Sequence, residues 1–164
     1  GHVGLDTARV WIDSEAFEAA ATAIEQRHVR ARTDPSGFVA ELEQTLGLYA
    51  GPLLAHEDDQ PWLLPERDRL ERRFVRLAHD GARSLMEAGC LEAAIDVLRR
   101  GLDVEPLAEE LHRRLISAYA AAGRRAEAAQ AYRHCAKLLH DVLGVTPSAE
   151  TERALGGAAT TRSG

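Results

Sequence analysis

The sequence predicts an all-α fold, a right-handed stack of antiparallel helical hairpins that forms an α-α superhelix. Large apolar residues recur at steps of three and four from Phe17 to Val142, the spacing that places them on one face of a helix. The 164-residue chain is 45% hydrophobic but only 5% aromatic, so its core must be built mainly from Leu, Ala and Val. A core of this composition, with few aromatic residues, favours helices over sheets.

An internal repeat indicates how the helices are arranged. The segment from Leu77 to Leu139 repeats with an offset of about 34 residues, which is the period of the tetratricopeptide helical hairpin. The matched positions are Leu77 with Leu111, Leu85 with Tyr119, Ala88-Gly89 with Ala122-Gly123, Ala94 with Ala128, and Leu98 with Tyr132. Two unrelated amphipathic helix pairs are the alternative, but glycine, alanine and the large residue all recur at one offset. The repeat therefore predicts a tetratricopeptide-like stack.

The first quarter of the chain predicts an extended lead-in followed by two helices. Residues 1–12 include Val10, Trp11 and Ile12, the only β-favouring run in the chain, and Asp13 stands where a helix N-cap is expected. Asp34-Pro35 predicts the start of the second helix. The apolar stripes are Phe17, Ala20, Ala21, Ile24 and His28 in the first helix and Phe38, Leu42 and Leu46 in the second. Gly47 to Pro52 should end that helix.

The middle of the chain predicts an acidic loop and then the longest helix. His56, Glu57, Asp58 and Asp59 lie in the loop 53–60; a metal cluster is the less favoured interpretation, because adjacent residues rarely converge on one ion. The helix from Trp62 to Ala88 carries the stripe Leu70, Phe74, Leu77, Gly81 and Leu85, with Gly81 predicted at a close helix approach. Its charges, such as Arg67 with Glu71 and Asp68 with Arg72, predict a solvated, self-paired face rather than a nucleic-acid stripe.

The remaining elements follow the repeat. Gly89 and Gly123 turn two hairpins, and Gly144 caps the last long helix. The stripes are Leu91, Ala94, Ile95, Leu98 and Leu102; then Leu107, Leu111, Leu115, Tyr119 and Ala122; then Ala128, Tyr132, Cys135, Leu139 and Val142. Thr146-Pro147-Ser148 restarts a short helix that reaches Leu155, and residues 156–164 are predicted to be a disordered tail.

The composition and motifs favour a non-enzymatic protein without a cofactor. A net charge of −6 argues against a chain that coats nucleic acid, and no apolar run is long enough to span a membrane or act as a secretory signal. The expected location is cytoplasmic, with both cysteines reduced. No catalytic or metal-binding motif is present, and His134 beside Cys135 points about 100° away from it on a helix.

An ordered set of motifs resembles a known family, the bacterial transcriptional activator domain. The motifs are Val10-Trp11-Ile12-Asp13 with Phe17; Tyr49-x-Gly51-Pro52-Leu53-Leu54; Trp62 with Arg67 and Leu70; Pro106 with Glu110-Leu111-His112-Arg113; Gly123-Arg124 with Glu127-Ala128 and Tyr132; and Leu143-Gly144-Val145-x-Pro147-Ser148. In the antibiotic regulatory protein family this helical domain follows a DNA-binding winged helix. The chain opens at what looks like the junction after that winged helix, so the domain itself is assigned to residues 13–155.

The resemblance implies a domain that regulates transcription through protein contacts, with self-association as a homodimer in some members. DNA binding would come only through a domain absent from this chain, and the family supplies no catalytic residues. The alternative is a free-standing tetratricopeptide adaptor in signalling or complex assembly. A small-molecule sensor is less favoured, because few aromatic residues are present to line a pocket.

A partner-binding groove is predicted on the first helices of two consecutive hairpins. In tetratricopeptide stacks these helices line the concave surface. The candidate residues are Arg76, His79 and Arg83 on one hairpin and, at the repeat offset, Glu110, Arg113 and Ser117 on the next. Three arginines against one acid reverse the sign of the protein locally, which favours an acidic partner segment; a solvated helix face is the plainer alternative. On this hypothesis Arg83→Glu with Arg113→Glu weakens partner binding and leaves thermal stability nearly unchanged.

Overall fold

A computed structural model describes residues 6–49 and 64–157, with side chains described from Ser14 onward in the first helix. These residues form eight α-helices and no strand. In chain order they are α1 Asp6–Glu25, α2 Arg30–Thr33, α3 Pro35–Gly47, α4 Leu64–Glu87, α5 Leu91–Val104, α6 Glu109–Ala121, α7 Arg125–Leu143 and α8 Ala149–Gly157. No helix in the described ranges is long and apolar enough to cross a membrane.

The helices form three antiparallel hairpins, α1 with α3, α4 with α5 and α6 with α7. The short α2 links the first pair, and α8 packs on α6 and α7. The first helices also contact one another in series, α1 with α4, α4 with α6, and α6 with α8, while α3 contacts α5. The predicted all-α, tetratricopeptide-like stack is therefore confirmed, and α1, α4, α6 and α8 form its inner layer.

The predicted stripes supply one continuous core. Leu70, Phe74, Leu77, Gly81 and Leu85 on α4 are all buried. The aromatic rings of Phe17, Tyr49 and Phe74 pack together, with centroid distances of 5.7 Å and 4.5 Å along the series. Burying each Leu or Phe side chain contributes about 1.5–3 kcal/mol, so packing between helices provides most of the stability.

Close contact explains the glycine inside α4. An ideal Cβ on Gly81 would lie 2.5 Å from Cδ2 of Leu42, whose side chain on α3 is fully buried. A side chain at this position would force the buried Leu42 side chain or the two helices to shift. The predicted close approach at Gly81 is confirmed.

Both hairpin turns have the same glycine geometry. Gly89 and Gly123 adopt φ of +80° and +75°, in the left-handed region. Behind them the N–H of Cys90 donates to the carbonyl of Leu85 (2.8 Å), and the N–H of Arg124 donates to that of Tyr119 (2.9 Å). These are the six-to-one bonds of the Schellman motif, which satisfies the last carbonyls of a helix. Gly144 ends α7 with φ +68°, as predicted for its cap.

The start of α3 also follows its sequence signal. Asp34 is the N-cap, and its Oδ1 accepts a hydrogen bond from the backbone N–H of Gly37 (3.0 Å). Pro35 occupies the first helical position, where its missing N–H costs nothing.

The predicted extended lead-in at residues 1–12 is wrong for its described part. Helix α1 begins at Asp6 and runs through Val10 to Ile12, so Asp13 lies inside the helix and is not an N-cap. The preference of such residues for strands is worth only about 1 kcal/mol, and an isolated run has no neighbouring strand to pair with. Residues 1–5 lie outside the described part of the chain.

Several other predictions are corrected or untested. Val142 and Leu107 are exposed rather than core residues, because none of the described helices covers the last turn of α7 and α6 begins only at Glu109. His28 is also exposed. The predicted tail starts too early, since Gly156 and Gly157 belong to α8. The acidic loop 53–60, Trp62 and the tail residues 158–164 lie outside the described ranges.

Candidate interaction surface on the inner helices

The inner helices α4 and α6 enclose an open, charged cleft of about 520 Å³. Its walls are Glu71, Arg72, Val75, Arg76 and His79 on the α4 side and Ala108, Glu109, Glu110 and Arg113 on the α6 side. Core side chains fill the rest of the space between these helices, such as Leu77 and Leu111, which are almost fully buried. The cleft is therefore a polar opening over a well-packed base.

The cleft contains four of the six residues predicted for a partner groove: Arg76, His79, Glu110 and Arg113. Arg83 lies apart from them, in a smaller pocket where it is 3.7 Å from the Asp80 carboxylate. Ser117 is half-buried, and its hydroxyl donates to the backbone carbonyl of Arg113 (3.1 Å). Four of the six residues thus line one cleft and two do not, and the partner groove itself stays a prediction.

His79 connects α4 to α6 through a residue that the sequence reasoning missed. Nε and an Nη of Arg114 lie 3.2 Å and 2.8 Å from His79 Nε2, so this nitrogen accepts hydrogen bonds and carries no proton. The opposite ring N–H then donates to Asp80 Oδ1 (3.2 Å). Burial lowers the pKa of Arg114, and the positive charge of Arg83 lowers it further. The repeat offset relates His79 to Arg113, so nothing in the spacing indicated Arg114.

Helix α8 fixes the α6 wall of the cleft. The Glu109 carboxylate accepts hydrogen bonds from the Ser148 backbone N–H (2.7 Å) and the Thr151 hydroxyl (2.6 Å), and Arg113 Nε donates to Thr151 Oγ1 (3.2 Å). Burial alone would raise the pKa of Glu109, but these hydrogen bonds outweigh it and lower the pKa below its usual range. Reversing the charge of Arg113 would therefore also disturb α8, so the predicted neutrality of Arg83→Glu with Arg113→Glu for stability does not fit this geometry.

A second cleft, between α1 and α4, is rich in arginine. It is lined by Glu18, Thr22, Arg69, Arg72, Arg73 and Arg76. Arg69 pairs with Glu18 and Glu66, and Arg73 pairs with Glu25 (3.1 Å). The predicted pairs of Arg67 with Glu71 and Asp68 with Arg72 do not form among the described residues, where Arg69 and Arg73 are the arginines of this helix half that pair.

Two residues of kinds that enzymes use, Cys135 and His112, lie in the core. No cluster of three His, Cys, Asp or Glu side chains is placed to hold a metal ion in these ranges. Cys135 is fully buried, and burial raises the pKa of its thiol to about 11, whereas a nucleophilic cysteine needs a lowered pKa. Burial also lowers the pKa of His112, whose Nε2–H donates to the Pro106 carbonyl (2.8 Å). Both residues act as core residues.

The fold defines the class of this protein, a tetratricopeptide-like helical repeat domain with a charged inner surface. Residues 12–156 match the model of the bacterial transcriptional activator domain, and the chain belongs to this family. The resemblance found in the sequence motifs is thereby confirmed, and the chain is a domain of the transcription-regulator type.

A curated relative of this chain is also a regulatory protein. The chain is 32% identical over 128 residues to the regulatory protein AfsR of Streptomyces griseus. The aligned segment covers 78% of this chain and 13% of that protein. The chain thus corresponds to a small part of a much longer regulator.

Proposed function

We propose that this domain acts in transcription regulation as a non-enzymatic protein-interaction module and that its inner surface contacts a protein partner. The partner is a component of the transcription machinery, another domain of the regulator or a second copy of this domain. Any contact with DNA belongs to a domain outside this chain, and the site of action is the cytoplasm. Membership of the transcriptional activator family and the likeness to AfsR support this proposal.

The observation that carries the proposal is the cleft between α4 and α6. Arg76, Arg113 and Glu110 meet there on two rigid helices, and the space between them is open. A groove between stacked inner helices is the surface that helical repeat proteins offer to extended partners. Its three arginines share the cleft with three glutamates, so the attraction for acidic groups comes from exposed guanidinium groups such as that of Arg76 and not from a net positive charge.

Site-specific photo-crosslinking in the natural host tests the proposal. A photoreactive amino acid replaces Glu110 in the cleft or, as matched controls, Arg99 or Arg133, which are exposed on α5 and α7. Glu110 should yield a specific crosslinked product, identified by mass spectrometry as part of the transcription machinery, the same regulator or a second copy. Products formed at Arg99 or Arg133 but not at Glu110 would contradict the proposal.

A further inference from the structure

We propose that Arg72 and Arg76 form the centre of a binding site for a short acidic segment of polypeptide, which carries two carboxylates about one helical turn apart. This inference rests on the proposed function and deepens it, since it names the chemistry of the partner. It also places the centre of the site on α4, at a position that includes Arg72, a residue outside the groove predicted from the sequence.

Arg72 and Arg76 form a ridge that belongs to both clefts. Each of them lines the cleft between α1 and α4 as well as the cleft between α4 and α6. They are four residues apart on one helix, so their Cα atoms are separated by about 6 Å along the axis and lie on the same face. A segment lying along α4 therefore meets both guanidinium groups in one contact.

Among the four arginines of the cleft between α1 and α4, Arg72 and Arg76 are the two without a charged partner in the described ranges. Arg69 and Arg73 line the same cleft, and both are paired with glutamates of α1 or α4. Arg72 and Arg76 are exposed and form no ion pair or hydrogen bond with any residue in the described ranges. Guanidinium groups bind carboxylates through two parallel hydrogen bonds, which favours Arg over Lys at such a site.

The surrounding acids limit how much negative charge the ligand can carry. Glu18 lies on one side of the ridge, and Glu71, Glu109 and Glu110 lie on the other, all lining the same two clefts. A continuous polyanion such as a nucleic acid would bring further phosphates against these carboxylates, where like charges repel. A segment with two acids supplies one carboxylate to each ridge arginine and no further negative charge, so the geometry favours a polypeptide.

An apolar contact accompanies the charged one. Val75 precedes Arg76 on α4, is half-buried, and faces half-buried Ala108 across the cleft. An apolar side chain next to the two acids would cover this pair and add to binding by burying its apolar surface. The segment that fits is therefore acidic with an apolar residue between or beside its carboxylates.

Nuclear magnetic resonance titration of the whole chain tests this inference directly. The chain is labelled with ¹⁵N in its arginines, and the side-chain Nε–H signals are followed during addition of a helical peptide with Glu at two positions four residues apart and Leu between them. The comparison probes are the same peptide with Gln in place of both Glu, and a single-stranded oligothymidine of about the same length. We expect the Glu peptide to shift the Arg72 and Arg76 signals and the Gln peptide to leave them unchanged.

Matched variants separate the ridge from general charge effects. Arg72→Gln with Arg76→Gln should weaken binding of the Glu peptide by at least about tenfold, because two charge-assisted contacts are lost. Arg99→Gln with Arg133→Gln removes the same charge from exposed positions on α5 and α7 and should change affinity by less than about twofold. Arg72→Lys with Arg76→Lys keeps the charge and the fold but loses the paired geometry, so it should show an intermediate loss.

The outcomes separate this inference from the proposed function. The inference would be overturned if the two double variants to Gln, at 72 and 76 and at 99 and 133, lost affinity for the Glu peptide equally. It would also be overturned if the chain bound the Gln peptide as tightly as the Glu peptide, or bound oligothymidine more tightly than the Glu peptide. If Arg72→Gln with Arg76→Gln also abolishes the crosslink from Glu110, both proposals stand. If that crosslink to a protein persists unchanged in the variant, the proposed function survives and the ridge is not its centre. A peptide bound at the ridge without any crosslink from the inner face would support the ridge and count against the proposed function.

Discussion

Replacing Gly123 with valine should destabilise the domain through its backbone alone. Gly123 turns α6 into α7 with φ +75°, a conformation that L-residues avoid. An added Cβ would meet no other atom within 4 Å, so crowding does not contribute. The left-handed conformation costs an L-residue about 1–2 kcal/mol, and a β-branched side chain raises the cost, which gives an expected loss of about 1–3 kcal/mol for Gly123→Val.

Urea unfolding followed by circular dichroism measures this loss. The midpoint should fall while the slope stays constant, because the surface exposed on unfolding does not change. Gly123→Asn is the matched control at the same position, and it should lose less than about 1 kcal/mol, since asparagine tolerates left-handed backbone. Gly47→Ala is the control for replacing a glycine in a right-handed backbone. A Cβ at Gly47 would also meet no atom within 4 Å, but Gly47 lies in the right-handed helix α3. This variant should therefore be neutral or stabilising by up to about 1 kcal/mol.

Two results would refute the reasoning about Gly123. An unchanged midpoint for Gly123→Val would mean that the turn does not require the left-handed conformation. Equal losses for Val and Asn would mean that something other than the backbone angle sets the cost.

Three further predictions rest on separate features. Gly81→Ala should lower the free energy of unfolding in urea by about 1 kcal/mol, because the clash of the new Cβ with buried Leu42 outweighs the gain in helix propensity. A stabilised variant would show that α3 and α4 separate freely. Because burial lowers the pKa of His112, its neutral form favours the folded state, so the free energy of unfolding should fall as pH drops below about 6.5. His112→Gln should flatten that dependence between about pH 7.5 and pH 5.5, and an equally steep profile in the variant would remove this histidine as the cause. The chain alone should show no useful affinity for random duplex DNA at physiological ionic strength, given its net charge of −6; salt-sensitive micromolar binding in an anisotropy titration would contradict this.

The features that the sequence predicted well depend on a few neighbouring residues. Asp34 and Pro35 begin α3 because an N-cap carboxylate and a residue without an N–H satisfy local requirements. Gly89 and Gly123 mark turns because only glycine adopts that backbone readily. The core stripes were predictable because every helix must bury one face.

The features that the sequence missed depend on what lies next to an element in space. Val10 to Ile12 is helical because no strand in the described part of the chain is available to pair with it. Val142 has the spacing of a core residue, but it is 55% exposed because no helix in the described ranges covers it. The spacing of apolar residues indicates which face of a helix is apolar, but it does not indicate how far the neighbouring helices extend along that face.

The candidate site was partly predictable for a related reason. The repeat offset gives equivalent positions on successive hairpins, and it placed Arg76 and Arg113 in the same cleft. Equivalent positions are not contacting positions, however, because adjacent hairpins are displaced relative to each other. His79 therefore contacts Arg114, and Arg83 points into another pocket.

The serial arrangement of the helices has a consequence for how the chain folds. Among the described elements, no helix contacts one more than three places along the chain, and α1 with α4 is the longest such step. Contacts between near neighbours in sequence need little loop closure before they form, and proteins built from them fold within microseconds to milliseconds. The same locality lets the two ends of the stack open without the middle, so amide hydrogen exchange should be slowest in α4 to α6 and faster in α1 and α8.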